Sequence, residues 1–207
     1  MQVKKIKIKE SAFIYRPSYN NLCLVLDLQF FYNYKSKQFE VNNNPHGEPN
    51  PIPMNNVVMS DDLSQLSFDA KYQGKQQQFQ ITAVYECDKI MFELFSRLRN
   101  NDLLAVDEDL DDLHFVFEKG KLQSIEGYKH SKDNDMLDSL DVFIEEGNYT
   151  LLKHAPRRKV NLNSIVVDDN KLISRSADEE FVYNLDVQPL ISETLKRLIN
   201  SSVSPAS

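Results

Sequence analysis

The sequence has 207 residues with 24 basic and 31 acidic side chains, which gives a formal net charge of −7. Its 41% hydrophobic content is enough for a packed core, and a chain of this length buries about 70% of its extended surface on folding. The five glycines lie too far apart for a phosphate-binding glycine loop, which argues against nucleotide-binding proteins. Since no catalytic motif is visible, composition predicts a globular protein and leaves its chemistry open.

Neither a secretory leader nor a membrane helix is predicted. The first residues alternate aliphatic side chains with lysines and lack the continuous apolar stretch of a signal sequence. No run approaches the ~18 apolar residues that a membrane helix needs. The two cysteines, Cys23 and Cys87, lie in apolar segments and are too few for a disulfide scaffold. These features predict a cytoplasmic protein with reduced thiols and no membrane partner.

Two segments near the start alternate with the period of a β-strand. Residues 3–8 alternate aliphatic residues with lysines, which is a common way to protect a sheet edge from aggregation. A basic ridge that binds nucleic acid is the alternative for this segment. Residues 21–34 predict one central strand covered on both faces near its middle. Asp27 lies inside that apolar run, so its carboxylate must be paired, hydrogen-bonded or at the sheet surface.

Residues 42–56 break the pattern with six asparagines and four prolines. Proline removes amide donors and restricts φ, so we predict that no regular element forms here. The segment is either a long surface loop or a recognition arm, because long loops in compact domains are often functional or disordered.

Three hairpins are predicted further along the chain from pairs of alternating segments. They lie at residues 66–85, 114–125 and 165–174, and each has turn residues between its two strands. The third hairpin is followed by another alternating segment at 181–185, which predicts one more strand.

Three helices are predicted from apolar residues that recur every three or four positions. They begin at Asp88, at Met136 and at Pro189. Asp88 is the expected N-cap of the first helix, and Gly147 is the expected C-terminal cap of the second. Residues 201–207 are a serine-rich tail that we expect to fray.

Hairpins joined by helices, without β-α-β alternation, indicate an α+β protein. We predict an antiparallel sheet built from hairpins with about three amphipathic helices packed on it. No internal repeat is visible, so we expect a single domain over residues 1–207. A polar stretch near 130–134 is the one candidate boundary between subdomains.

Residues 102–118 contain seven acids and no lysine or arginine, and these acids account for the whole net charge. Their spacing is similar to that of the ligands in an EF-hand calcium loop. The glycine required at the turn is replaced by Asp112, and a strand rather than a helix is predicted to follow, so we expect no calcium site. We interpret the segment as a solvated acidic surface on which a basic partner docks. The residues expected to contact that partner are Asp107, Asp109, Asp111 and Asp112.

One compact basic cluster comprises Lys153, Arg157, Arg158 and Lys159. Four cations without an acid between them could bind nucleic-acid phosphates, with Tyr149 stacking on a base. We favour a polar connection between subdomains over this reading, unless the lysine strand near the N-terminus lies beside the cluster. The cluster could instead bind carboxylates on a partner protein, and Arg157, Arg158 and Lys159 are then the expected contact residues.

Catalytic and metal sites have little support in the sequence. Asp69 and Lys71 have the D-x-K form seen in restriction-like nucleases, and Asp27 could supply a second Mg²⁺ ligand. Alternation, however, places Asp69 and Lys71 on the polar face of an ordinary half-exposed strand. The four histidines lack zinc-site spacing, and neither cysteine has the local signature of a nucleophile. We therefore predict no catalytic residue, no metal and no cofactor.

The sequence favours a non-catalytic protein that binds another protein: an inhibitor, an immunity-type factor or a subunit of a complex. It would act through the acidic surface and its loops. A metal-dependent nuclease or phosphoesterase is one alternative, and a nucleic-acid-binding protein that uses residues 153–159 is another. Neutralising the four aspartates should weaken partner binding with little loss of stability, because solvated carboxylates contribute little to folding.

Overall fold

The computed structural model describes residues 3–8, 10–16, 21–24, 30–33, 36–42, 48, 50–100, 112–128, 140–154, 156–185 and 187–202. Within these ranges the chain forms seventeen strands and two helices, and the strands assemble into three sheets. The molecule is therefore mostly β structure, and the α+β prediction of about three helices packed on one antiparallel sheet is wrong. The candidate boundary near 130–134 lies outside the described residues.

The first part of the chain forms nine strands and one helix. A short strand comes first, followed by five strands of the largest sheet, three strands of a second sheet and a helix. They are β1 (Val3–Lys7), β2 (Glu10–Arg16), β3 (Asn21–Leu24), β4 (Phe30–Asn33), β5 (Gln38–Asn42), β6 (Pro51–Pro53), β7 (Asn55–Met59), β8 (Gln65–Tyr72), β9 (Lys75–Thr82) and α1 (Glu86–Arg99).

The second part follows the same plan, and none of its described residues forms a counterpart of β1. Five more strands of the largest sheet are followed by a three-stranded sheet and a helix. They are β10 (Asp112–Glu118), β11 (Lys121–Tyr128), β12 (Leu140–Glu145), β13 (Asn148–His154), β14 (Arg157–Leu162), β15 (Ser164–Asp168), β16 (Lys171–Arg175), β17 (Glu180–Asn184) and α2 (Pro189–Ser202).

The chain therefore contains a structural repeat, and the expectation of no internal repeat is wrong. We call residues 10–99 the first half and residues 112–202 the second half. Each half is a five-stranded antiparallel meander, then a three-stranded antiparallel meander, then a helix. The ten-stranded sheet has the order β14-β13-β12-β11-β10-β2-β3-β4-β5-β6, so the two meanders extend in opposite directions from the central β2–β10 pair.

An approximate two-fold axis relates the halves and passes between β2 and β10. These strands pair antiparallel with Phe13 opposite Phe115. Both rings are fully buried and meet edge to face, with centroids 6.3 Å apart. The neighbouring pairs are arranged symmetrically about this contact: Tyr15 lies opposite Leu113, and Ser11 lies opposite Phe117.

The helices obey the same symmetry. α1 and α2 contact each other, and two reciprocal ion pairs join them. Arg197 donates to Glu93 at 2.8 Å, and Arg97 donates to Glu193 at 3.4 Å. The sequence Glu-x-x-x-Arg-Leu-x-Asn occurs at residues 93–100 and again at 193–200. This motif is the trace of the repeat in the sequence, and strand and helix periodicity alone did not reveal it.

The predicted hairpins are confirmed as β8–β9, β10–β11 and β15–β16, and the strand expected at 181–185 is β17. The central strand expected over 21–34 is instead two strands, β3 and β4, which pair antiparallel. Residues 25–29, which include Asp27, lie outside the described residues. The alternation was read correctly as strand, but it carries no information about where a chain reverses.

Regular structure also occurs where none was predicted. β6 and the start of β7 lie within residues 42–56. Pro51 and Pro53 are in β6, the last strand of the ten-stranded sheet. Proline is tolerated there because one side of an edge strand needs no amide donors.

Two of the three predicted helices, α1 and α2, are confirmed. The helix expected from Met136 is wrong, because residues 140–145 form β12. Leu140 and Val142 alternate with half-buried residues in that strand, and a short apolar run fits either period. Gly147 has a φ of 81°, but it serves the β12–β13 turn rather than a helix end. α2 continues to Ser202, so the start of the expected frayed tail is helical.

The start of α1 uses Asp88 differently from the predicted N-cap. Asp88 is the third helical residue and is fully buried. Its Oδ2 accepts the amides of Val84 and Tyr85 at 3.0 and 2.9 Å. The carboxylate therefore satisfies amides that precede the helix, which is half of a capping box.

β1 lies at the edge of the four-stranded sheet β1-β9-β8-β7, where it pairs parallel to β9. Lys4, Lys5 and Lys7 are exposed, which confirms the lysine-bearing edge strand. Neither helix of the described chain is long and apolar enough to cross a membrane.

Candidate functional site

Asp112 does not lie on the solvated surface that the sequence predicted. Asp107, Asp109 and Asp111 lie outside the described residues. Asp112 begins β10 opposite Tyr128 and is only 9% exposed. β10 lies in the middle of the ten-stranded sheet, so neighbouring strands cover it on both sides. The expected solvation of Asp112 is therefore contradicted, and solvation is no longer a reason to expect that its neutralisation leaves stability unchanged.

The basic cluster lies on the hairpin formed by β13 and β14, and not in a connection between subdomains. Lys153 is opposite Arg158, and His154 is opposite Arg157. β14 is the strand at one end of the ten-stranded sheet. The four cations thus lie at a sheet edge, where they can reach the next sheet.

Two of these cations bind the hairpin to the three-stranded sheet. Arg158 Nη2 donates to both carboxylate oxygens of Glu179, at 2.9 and 2.6 Å. This hydrogen bond lowers the pKa of Glu179 below its usual value. Lys153 Nζ lies 4.9 Å from the centre of the Phe181 ring, within cation–π range. Arg158 and Lys153 therefore both make contacts within the protein that join the hairpin to the three-stranded sheet.

The remaining cations differ from each other. Lys159 pairs with Glu145 at 2.5 Å, and its Nζ lies 5.5 Å over the ring of Phe143. Arg157 is exposed and has no ion pair within the described part of the chain. Of the three arginine and lysine residues expected to contact a partner, Arg157 alone is not already held by a neighbouring side chain.

The lysine strand is not beside the basic cluster. β1 belongs to the four-stranded sheet, and β8 of that sheet contacts β6. β6 and β14 are at opposite ends of the ten-stranded sheet. The arrangement that would have favoured nucleic-acid binding is therefore not present.

Three aliphatic side chains cross the solvent face of the sheet β15-β16-β17, and we call them the aliphatic row. Val166 pairs with Ile173, and Ile173 pairs with Val182. Val182 is 50% exposed, and the other two are half-buried. The flanking rows are polar or charged. They consist of Ser164, Arg175 and Glu180 on one side, and Asp168, Lys171 and Asn184 on the other.

An apolar centre with a polar rim is typical of protein-binding surfaces. The aliphatic row was missed at the sequence level because alternation separates the two faces of a strand but does not show which face is buried. The opposite face of the sheet holds Val167, Leu172 and Tyr183, all buried. Strand-to-strand register was needed to show that the three exposed residues are neighbours.

β17, where the aliphatic row ends, pairs on one side only among the residues that the structure covers. Its counterpart in the first half, β9, has β8 on one side and β1 on the other. β17 is firmly held on its inner face, since a Cβ at Gly127 would lie only 3.1 Å from the Tyr183 hydroxyl. Within the described part of the chain, β17 is therefore an edge strand that is held on its inner face and has no pairing partner on its outer side.

The described residues offer little for catalysis. Within them, no group of three histidine, cysteine or acidic side chains is placed to hold a metal ion. Asp69 is half-buried and accepts a hydrogen bond from Asn56 at 2.7 Å, while Lys71 is exposed. Burial, with a smaller effect from the neighbouring Asp88, raises the pKa of Cys87 to about 12. A thiol with such a pKa stays protonated and is a poor nucleophile.

The chain belongs to a family of unknown function, DUF8184, whose model matches residues 3–199. A comparison with curated proteins and one with solved structures found no match.

Proposed function

We propose that the protein is a non-catalytic, cytoplasmic protein-binding or assembly protein that receives an extended basic segment of its partner as an added strand on β17. The observation that carries this proposal is that the outer edge of β17, at the end of the aliphatic row, pairs with none of the described residues. The equivalent edge in the first half is covered by β1.

Strand addition suits this edge because an edge strand presents unpaired amides and carbonyls to an extended peptide. β1 provides a template for the geometry. It runs parallel to β9, with Val3 opposite Gln78 and Lys5 opposite Gln80. A partner segment in the same orientation on β17 would extend the aliphatic row by one side chain opposite Val182.

The charge of the edge favours a basic segment. Asp178, Glu179 and Glu180 are consecutive and exposed where β17 begins. Glu179 forms an ion pair with Arg158, and Glu180 forms one with Arg175. Asp178 has no ion pair among the described residues. Opposite charges on adjacent strands stabilise pairing. If a partner strand carries a cation two residues from an aliphatic side chain, the cation can lie opposite Glu180 while the aliphatic side chain lies opposite Val182.

The acidic segment of the chain strengthens this preference. Asp107, Glu108 and Asp109 stand at about the same distance before β10 as the lysines of β1 stand before β2. Like charges on adjacent strands oppose pairing, so these acids suit the edge of β17 poorly. These acids precede β10 in the chain. Leu113, the second residue of β10, and Tyr183 in β17 both lie against Gly127. Their charge would add to the attraction for a basic partner.

A binding assay with defined peptides tests the proposal. A labelled extended peptide with alternating lysine and valine should bind with micromolar affinity, measured by fluorescence anisotropy, and a matched glutamate–valine peptide should bind at least ~10-fold more weakly. Val182→Lys should weaken lysine–valine peptide binding by a similar factor, because it places a cation opposite the incoming strand.

Val58→Lys is the matched control. Val58 is 59% exposed on the outer face of β7, in the corresponding sheet of the first half. Equal effects of the two substitutions, or equal affinity for the acidic peptide, would contradict the proposal. Tight binding of RNA or DNA that Arg157→Gln removes would instead support the nucleic-acid alternative.

A further inference from the structure

A cavity of about 410 Å³ lies in the first half, and none of its lining residues belongs to the sheet that contains β17. Three parts of the chain enclose it: the β4–β5 hairpin, the passage from β6 to β7, and the last turn of α1. Its volume is within the range of about 300–1,000 Å³ that is usual for small-molecule sites.

The floor of the cavity is apolar and well ordered by packing. Tyr32, Phe39, Met54 and Leu98 line it, and each is less than a tenth exposed. The rings of Tyr32 and Phe39 have centroids 5.0 Å apart. The Tyr32 hydroxyl donates to the carbonyl of Leu98 at 3.5 Å, and the Met54 amide donates to the carbonyl of Phe39 at 2.8 Å. These contacts fix the three enclosing parts relative to one another.

The rim of the cavity is positively charged. Among the described residues, Lys37 and Arg99 are the charged side chains that line it, without an aspartate or glutamate. Neither cation has an ion pair within the described residues, in contrast to Arg158 and Lys159 on the basic hairpin. The amides of Gln38 and Asn55 add hydrogen-bonding capacity. The cavity thus combines two available cations with an apolar floor.

The second half shows that the fold does not require these cations. Arg99 corresponds to Ile199 in the repeated helix motif, and Ile199 is 1% exposed. Lys37, the last residue before β5, corresponds to Gly147, the last residue before β13. Both have positive φ, 56° and 81°, a conformation that favours glycine. The first half therefore carries a lysine where glycine would be unstrained and an arginine where its repeat has a buried isoleucine.

We infer that this cavity binds a small amphipathic anion, with its carboxylate or phosphate monoester between Lys37 and Arg99 and its apolar body against Tyr32, Phe39, Met54 and Leu98. Charge-assisted hydrogen bonds from two cations favour the anionic group. The apolar floor excludes water from the rest of the ligand. This site is separate from the β17 edge and does not depend on partner binding there.

An NMR titration of the amide resonances tests the inference with three probes: phenyl phosphate, decanoate and inorganic phosphate. At least one amphipathic probe should shift the amides around the cavity and bind ~10-fold or more tightly than inorganic phosphate. A stronger response to phenyl phosphate assigns a phosphate ester, and a stronger response to decanoate assigns an aliphatic carboxylate. Inorganic phosphate tests the anion alone.

Variants separate this site from general attraction of anions. Lys37→Gly with Arg99→Gln should weaken binding of the preferred probe by about tenfold or more, because both cations are lost. Lys75→Gln with Lys89→Gln removes the same charge from exposed lysines that do not line the cavity, and should change affinity by less than about twofold. Equal losses in the two double variants, shifts spread over the whole surface, or no binding by either amphipathic probe would overturn the inference.

Discussion

The two halves share one plan and differ most on the outer faces of their small sheets. In the first half, the row that runs from Val58 through Ser67 and Gln80 to Lys5 has a single aliphatic member, and β1 covers the edge. In the second half, the equivalent face carries the aliphatic row, and no described residue pairs with the outer edge of β17. Inner faces must fill a common core, whereas outer faces are free to diverge. Binding functions are therefore best sought where the halves differ.

A second difference concerns the ends of the helices. The first half has Arg99 at the rim of a cavity, and the second half has buried Ile199 at the corresponding position. These two differences support the proposed partner surface in the second half and the proposed small-molecule site in the first.

The largest expected effect concerns the contact on the two-fold axis. Phe13→Ala and Phe115→Ala should each lower the free energy of unfolding by about 3–5 kcal/mol, because each removes a fully buried ring. The two losses should be similar, since the residues are equivalent under the two-fold. Urea denaturation followed by circular dichroism measures both.

Val182→Ala is the control for this pair, because half-exposed Val182 should cost less than ~1 kcal/mol. A difference of more than ~2 kcal/mol between Phe13→Ala and Phe115→Ala would show that the halves do not pack equivalently about the axis.

An intermediate effect is expected where the helix starts differ. Asp88→Ala should lower the free energy of unfolding by about 1–2 kcal/mol, because the amides of Val84 and Tyr85 lose their acceptor. Gln188 occupies the corresponding position before α2, and there its main-chain carbonyl accepts the amides of Ile191 and Ser192. Gln188→Ala keeps this main-chain carbonyl and should therefore cost less than Asp88→Ala.

Thermal and urea denaturation of both variants measure this difference. Asp88→Asn keeps one acceptor oxygen and should retain part of the stability. Equal losses for Asp88→Ala and Gln188→Ala would mean that the buried carboxylate has no special role in starting α1.

The smallest effect concerns the two reciprocal ion pairs between the helices. Glu93 and Arg197 are more than a third exposed, so a double-mutant cycle should give a coupling of about 0.2–1 kcal/mol. The Glu193–Arg97 pair is longer, at 3.4 Å, and more exposed, so its coupling should be weaker. Comparing the two couplings shows whether both ion pairs contribute equally to the contact between α1 and α2.

This coupling should depend on pH. The hydrogen bond from Arg197 lowers the pKa of Glu93 below its usual 4.5. The stabilisation is therefore complete above the unfolded-state pKa and is lost as the pH falls through the lowered folded-state pKa. Cycles at neutral pH and in acid test this sign. A coupling that persists once Glu93 is protonated would contradict the ion-pair assignment.

Local elements were predictable where one short pattern decides them. Hairpins such as β8–β9 follow from alternation and a turn, and α1 follows from helical spacing. The segment beginning at Leu140 was misread because its six residues, four of them apolar, fit both periods. The cations Arg158 and Lys159 were recognised as a cluster, but their acidic partners are distant in sequence and could not be paired from it.

The sequence by itself determined which segments are strands and helices over much of the chain, where lysines protect an edge, and that charge is concentrated in a few places. These properties depend on neighbours within a few residues. Only the tertiary structure decided that the chain is a two-fold repeat, that Val166, Ile173 and Val182 meet on one exposed face, and that Lys37 and Arg99 share a cavity. Each of these depends on register and packing between distant segments, which local periodicity does not encode.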